Sequence, residues 1–277
     1  MLGFGPIKHS VIYVTFKELR KALLRKIALP KYLGDNHCCP VCGTRVKFFK
    51  PIWKSYKRLM SESSYPFASL ETFNWQAYSC PACDASDRER LYALYIDKVM
   101  GTLNPQRRYR LVEFAPSPAL SRKLKRNAIF EYRSADLFRK TVNDKIDITD
   151  MRKYRDGSID IFICSHILEH VSDDRKAMHE LFRILSPDGF GIVMVPLITG
   201  IDRTEENPEI NTRELRTIHY SDGDHVRQYG VKDFYDRLTK AGFQVVLLDR
   251  DYFGSEAFQQ AGISDKSRLW VVSKPPQ

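Results

Sequence analysis

The stretch Arg110-Leu-Val-Glu-Phe-Ala-Pro-Ser-Pro-Ala119 constrains this chain most. An apolar run enters it, a carboxylate (Glu113) closes the run, small residues and prolines turn the chain, and Leu120–Asn127 has a helical pattern. Strand, tight turn and helix in that order build the edge on which nucleotide-type ligands sit. The usual turn is glycine-rich, whereas Ala115, Ser117 and Ala119 are small but not glycine.

The downstream chain repeats the theme. Apolar runs at Tyr109–Phe114, Ile129–Ser134, Lys145–Asp147, Ile159–Ser165 and Phe190–Leu197 predict strands. Helical spacing marks Asp173–Leu185, with Ser186-Pro-Asp-Gly189 as its stop, and Val231–Ala241 ahead of Gly242. Phe243–Asp249 and Arg268–Lys274 predict a final antiparallel pair at one edge. Such alternation predicts an α/β fold: a Rossmann-like, seven-stranded, mainly parallel sheet with helices on both faces.

Upstream, Cys39-Pro-Val-Cys42 and Cys80-Pro-Ala-Cys83 repeat one pattern, separated by 37 residues. Two Cys-x-x-Cys turns supply the four thiolates of a closed structural zinc site. Cys39, Cys42, Cys80 and Cys83 are therefore the expected Zn2+ ligands, with His37 and Cys38 as weaker neighbours. Gly43 suits the knuckle turn, whereas Asp84 takes that place in the second knuckle. Thr44–Phe49 and Phe73–Tyr78 are the expected strands of a zinc-ribbon-like hairpin. The alternative is a set of unrelated buried thiols, the reading that also suits Cys164 inside its apolar strand.

Charge divides the chain further. The first 60 residues carry 13 Lys and Arg against 2 Asp and Glu, and the rest carry 31 against 32. A basic patch attracts RNA, a phosphorylated glycan or anionic lipid, or is a solvated face. Phe16, Leu19, Leu23 and Ile27 fall on one face of a basic amphipathic helix, which either lies on a membrane surface or packs on its own domain. No run reaches the roughly 20 apolar residues of a membrane span, and no signal peptide is read at the start. Unpaired cysteines point to a reducing, cytoplasmic setting. The expected parts are a basic helical leader (1–36), a zinc-ribbon-like module with a linking helix (37–100) and the α/β domain (101–277).

In an open parallel sheet the ligand lies past the carboxyl ends of the strands. Those positions hold Glu113, Asp136, Asp147-Ile148 and Ser165-His166, an acidic edge without a phosphate loop. Such an edge favours hydroxyls, amines and cations. Here the chain resembles the class I S-adenosylmethionine-dependent methyltransferases over about residues 105–200. Val112–Ala119, Asp147-Ile-Thr-Asp-Met151, Ser158–Val171 with its His-Ile-Leu-Glu-His-Val ending, and Leu185–Gly189 carry the resemblance. Asp224-His-Val-Arg-Gln-Tyr-Gly230 is similar to a branch in which a cysteine-rich ribbon precedes the methyltransferase domain.

The resemblance implies S-adenosyl-L-methionine as cofactor. It puts Glu113 near the methionine amino group, with Ala115, Ser117 and Ala119 at positions where relatives have glycine. It further puts Asp136 on the ribose, Asp147 and Ile148 at the adenine, and Ser165 and His166 at the methionine and methyl group. The alternative for Asp136 is a helix N-cap, and for Asp147 a partner of Lys145 or Arg152. Glu169 and His170 read as capping or orienting groups.

Methyl transfer needs in-line positioning, and a base only for a protonated acceptor. His166, His170, His219 and His225 are candidate bases by chemistry, His166 and His225 foremost; the Asp224–Tyr229 segment is alternatively a structural loop over the site. The polar stretch Pro196–Asp224 is a candidate lid. The expected acceptor is a small molecule or glycan hydroxyl. Two alternatives stand beside it. One is an RNA methyltransferase gripping RNA through Phe48, Phe49, Trp53 and Tyr56 amid lysines. The other is a non-catalytic binding protein on the same fold.

Overall fold

The computed structural model describes residues 20, 23–52, 62–66 and 69–276. Phe16 and Leu19 of the leader, and Trp53, Lys54, Tyr56, Lys57 and Arg58 of the basic aromatic run, lie outside the described residues.

Seven strands form the central sheet. They are β3 (Tyr109–Phe114), β4 (Phe130–Asp136), β5 (Asp144–Lys145), β6 (Ile159–Ser165), β7 (Leu185–Met194), β10 (Gln244–Leu248) and β11 (Leu269–Ser273). Across the sheet their order is β10-β11-β7-β6-β3-β4-β5. Pairing is parallel from β7 to β5, and β11 runs antiparallel to both β7 and β10. This is the expected Rossmann-like sheet with its antiparallel edge pair. Strand order reverses between β3 and β6, so a crevice opens past their carboxyl ends. Phe114 pairs with both Ala135 and Cys164, which brings the turns after β3, β4 and β6 level with one another.

Local chemistry sets the helices. In α1 (Asp87–Met100), Ser86 accepts from the Glu89 amide while Glu89 accepts from the Ser86 amide, a closed capping box. In α2 (Pro118–Arg126), Ser117 caps and Pro118 supplies a preset first turn. In α3 (Asp174–Ile184), Asp173 caps through the Lys176 amide. The helix stops where expected, but Ser186–Gly189 is not a free turn: those residues already belong to β7. α4 (Arg213–Tyr220), α5 (Val231–Lys240), α6 (Arg250–Phe253) and α7 (Ser255–Ala261) follow, and residues 23–28 of the leader are helical as well. Short strands β8 (Leu197–Ile198) and β9 (Tyr229–Gly230) pair beside the sheet. The expected polar lid is thus a structured segment containing β8 and α4. No helix among the described residues is long and apolar enough to cross a membrane.

The cysteine module joins this core. β1 (Leu33–Cys38) pairs with β2 (Arg45–Val46), so Leu33–Asn36 of the expected leader is part of the hairpin. Phe73–Tyr78 forms no strand; Asp87 holds the Asn74 amide in a turn, and only Ser79 bridges, to Lys50 and Ser86. Arg90 of α1 is 0 % exposed and fastens three regions together. Its guanidinium donates to the carbonyls of Ala77, Tyr78 and Ala85 in the module and of Ala261 and Gly262 at the end of α7. It also lies 3.9 Å over the Phe49 ring. The leader docks differently. Leu23, Leu24 and Ile27 are exposed rather than packed, and Arg25 pairs with Asp84 of the second knuckle instead.

Candidate functional site

Two residues past central strands have left-handed backbone: Ala115 after β3 (φ 47°) and His166 after β6 (φ 54°). That conformation costs a non-glycine residue about 1 kcal/mol or more and gathers at functional sites. Both positions are over-determined. The Ala115 amide donates to the Ala135 carbonyl at 2.8 Å, and the His166 amide to the Met194 carbonyl at 2.8 Å.

Both residues line a cavity of about 700 Å³. Its walls include Phe114, Asp136, Leu137, Phe138, Ile146, Asp147, Ile148, Thr149, Ile167, His170, Val171 and Asp224. Asp136, Asp147, Ile148, Ala115 and His166 are thus brought together as expected. No helix follows Asp136, so it is not the helix cap of the alternative reading; its Oδ1 instead holds a turn, accepting from the Phe138 and Arg139 amides at 2.7 and 2.9 Å. Asp147 accepts from the Thr149 amide and hydroxyl, both at 2.8 Å. Arg152 turns to Asp150 instead.

Three expected residues are not on this wall. The buried Glu113 carboxylate is turned into the loop itself, accepting from the Ser117 amide (2.9 Å), Ser121 Oγ (2.7 Å) and the Tyr132 hydroxyl (2.7 Å). Burial pushes its pKa up against the pull of those donors. Ser117 caps α2 and donates to Glu89. Ser165 shares a 2.7 Å hydrogen bond with Tyr92. The glycine-free turn is therefore held by a carboxylate and a cap, and these groups are absorbed in doing so.

A second cavity of about 210 Å³ adjoins, lined by Glu71, Arg88, Glu169, Ser221, Asp222 and His225, with His166 and His170 on the wall common to both. His225, a candidate base, belongs to this second space and donates from Nδ1 to the Tyr220 carbonyl at 2.8 Å. His170 donates likewise to the Asp224 carbonyl at 3.1 Å. Arg88 reaches His166 Nδ1 at 3.0 Å. Burial and then Arg88 lower the His166 pKa to about 4, although 23 % of the side chain opens to the cavities and moderates the burial effect. His166 is therefore neutral at pH 7 and a weak base.

The loop bearing His225 is locked from behind. Arg227 donates to the carbonyls of Leu168 (2.8 Å), Val171 (2.5 Å) and Ser172 (2.9 Å) and pairs with Glu206 at 2.7 Å. Tyr229 donates to Asp174 at 2.5 Å, and Arg237 pairs with Asp174 at 2.8 Å. Arg227 and Tyr229 are structural, in line with the loop alternative. Sequence reasoning missed Phe138, 83 % exposed at the rim of the larger cavity, and Arg88, which reaches the smaller one from α1. An aromatic two residues past a strand-end carboxylate was a usable signal; nothing near Arg88 was.

The four cysteines converge. All four sulfurs lie within 4.8 Å of one another, with Cys39–Cys83 at 3.8 Å and Cys42–Cys80 at 3.9 Å. Thiolates at about 2.3 Å from one tetrahedral zinc stand about 3.8 Å apart, so the set fits that ion. Each knuckle closes with a left-handed residue, Gly43 (φ 73°) and Asp84 (φ 70°). Aspartate tolerates that conformation better than most side chains. Arg25 and Lys50 hold its carboxylate.

Residues 104–193 match a family model described as a methyltransferase domain. That segment contains the strands β3 to β6 and most of the larger cavity's wall. No curated protein matches the chain. Among solved structures it is similar to the CurJ carbon methyltransferase, at 15 % identity and a TM-score of 0.44, over 69 % of this chain and 58 % of that one. The [4+2]-cyclase SpnF follows at 14 % and 0.43, over 80 % and 92 %. A putative methyltransferase from Bacillus halodurans matches at 15 % and 0.41, over 65 % and 98 %. The chain spans a little over half the length of the first of these.

Proposed function

We propose that this chain is an S-adenosylmethionine-dependent methyltransferase of the branch carrying a cysteine-rich ribbon. The supporting observation is the pair of cavities meeting at His166 and His170, the larger one bearing carboxylates past two successive strands. The larger cavity fits an adenosyl donor in volume and lining. Asp136 has a second oxygen beyond the one holding its two amides, with Arg139 at 3.5 Å, and offers it to ribose hydroxyls. Asp147 faces the same space, and Ile146 and Ile148 offer apolar flanks to a ring. When bound, S-adenosylmethionine supplies a methyl group on a positively charged sulfur, which suits an acidic wall.

The acceptor enters the smaller cavity. Glu71, Glu169 and Asp222 outnumber Arg88 there, a balance that favours a hydroxyl-bearing small molecule or glycan over a phosphodiester. His166 faces that hydroxyl, and the Asp224–Tyr229 loop, locked by Arg227 and Tyr229, lies over the site. Cys39, Cys42, Cys80 and Cys83 hold one structural zinc, and the parts of this cytoplasmic protein are a basic leader (1–36), the zinc-ribbon-like module with its linking helix (37–100) and the methyltransferase domain (101–277). Calorimetry with S-adenosylmethionine and S-adenosylhomocysteine tests the reading. Binding by the wild type, weakened by about 1.5–3 kcal/mol in Asp136→Ala, is expected; equal heats from both proteins would sink it.

A further inference from the structure

Glu169 is 1 % exposed, and neither of its carboxylate oxygens has a hydrogen-bond partner among the described residues. His166 Nδ1 stands 3.2 Å from one of them without hydrogen-bond alignment. Buried carboxylates are ordinarily paired, hydrogen-bonded or bound to metal. Beside Glu169 stand His170 and His225, and one ligating atom from each of the three lies within 4.8 Å of the others. We propose that Glu169, His170 and His225 bind one divalent transition-metal cation on the wall between the two cavities.

The histidines are prepared for it. A backbone carbonyl can only accept, so the bonds to Asp224 and Tyr220 fix the proton on Nδ1 in both rings. Each Nε2 keeps its lone pair, the arrangement in which imidazoles ligate metals. The two segments are also tied in place. The Val226 amide donates to the Glu169 carbonyl at 2.8 Å, and Arg227 grips the chain around Glu169 through three carbonyls. Two imidazoles and one carboxylate favour manganese, iron, cobalt or zinc over magnesium or calcium. Three protein ligands leave positions open towards both cavities. Resting on the methyltransferase reading, the cation would hold an acceptor hydroxyl and lower its pKa. That role best suits an acceptor with two adjacent oxygens.

The test is titration of the full-length, zinc-loaded chain with Mn(II), following the free ion by electron paramagnetic resonance. Manganese competes poorly for four thiolates, so the cysteine cluster stays silent. About one Mn(II) per chain is expected, with affinity falling tenfold or more in Glu169→Gln and in His170→Asn, and unchanged in the distant Asp251→Asn. His170 is exposed, so His170→Asn decides alone if Glu169→Gln fails to fold. No binding by the wild type, or wild-type affinity in the two ligand variants, overturns the site. Calorimetry with S-adenosylhomocysteine on the same samples separates the failures. S-adenosylhomocysteine binding without manganese sinks only the metal, and manganese without S-adenosylhomocysteine sinks only the methyltransferase reading.

Discussion

The tetracysteine cluster and the Glu169–His170–His225 cluster are built on opposite plans. The first takes all its groups from two tight turns of identical spacing, and its four sulfurs fill a tetrahedron. The second takes two groups from the turn after β6 and one from a loop 55 residues later, and leaves room on both sides. A closed site serves folding and an open one serves chemistry. Breaking the first should therefore cost structure, and breaking the second should cost binding while leaving structure in place.

The largest effect is expected at the closed site. A structural zinc contributes on the order of 10 kcal/mol to the folding of a small module. Cys39→Ser should drop zinc from about one per chain to near zero and abolish the cooperative melt; elemental analysis with calorimetric melting reads both. Retention of zinc and of the melt would erase the distinction between the sites.

Next comes Arg90, which joins the closed site to the sheet. Its charge lies near the thiolates, and burial lowers its pKa while Asp87 and the cysteines hold it up. Arg90→Ala removes five donor contacts and strands their carbonyls. A loss of about 3–5 kcal/mol in denaturant unfolding is expected. A loss near zero would mean that module and sheet are energetically separate.

At the open site the sharper probe is pH. His166 has a folded pKa of about 4 against an ordinary 6.5, so the fold favours its neutral form. Its contribution is complete above pH 6.5 and is lost as pH falls from 6.5 towards 4, by at most about 3 kcal/mol. Glu169, raised by burial but lowered further by His166, His225 and His170, loses stability in the same direction below the ordinary carboxylate range. His166→Asn should flatten the upper limb of the stability profile and leave the zinc content untouched. An unchanged limb would place the titration elsewhere.

The smallest effect is expected at Ala115. Ala115→Gly relieves the left-handed strain but frees the unfolded chain, so the terms nearly cancel, within about 1 kcal/mol. Its value lies in nucleotide affinity: a gain would show that the Ala115 methyl narrows the cavity floor.

Much of this was legible in the residues because the causes are local. Apolar runs of strand length placed the strands, helical spacing placed Leu120–Asn127 and Asp173–Leu185, and repeated Cys-x-x-Cys turns named the thiolates. Asp136, Asp147 and Ile148 share one cavity wall because the sheet rule puts strand ends at the crevice. Side-chain direction was not legible. Glu113 and Ser165 were assigned to the cavity by position, yet nearby hydroxyls and an amide satisfy them elsewhere. The Leu23 and Ile27 stripe looked like a packing face, and an ion pair from Arg25 docks that segment instead.

The amino-acid sequence by itself determined the sheet, the order of its parts and the four thiolates, since each depends on neighbours within a few positions. Only the tertiary structure decided that Arg90 would bind module to sheet. It alone also brought His225 back to Glu169 and His170, and left that carboxylate without a hydrogen-bond partner among the described residues. Those facts depend on segments far apart in the chain, whose meeting is fixed by core packing and not by any local pattern.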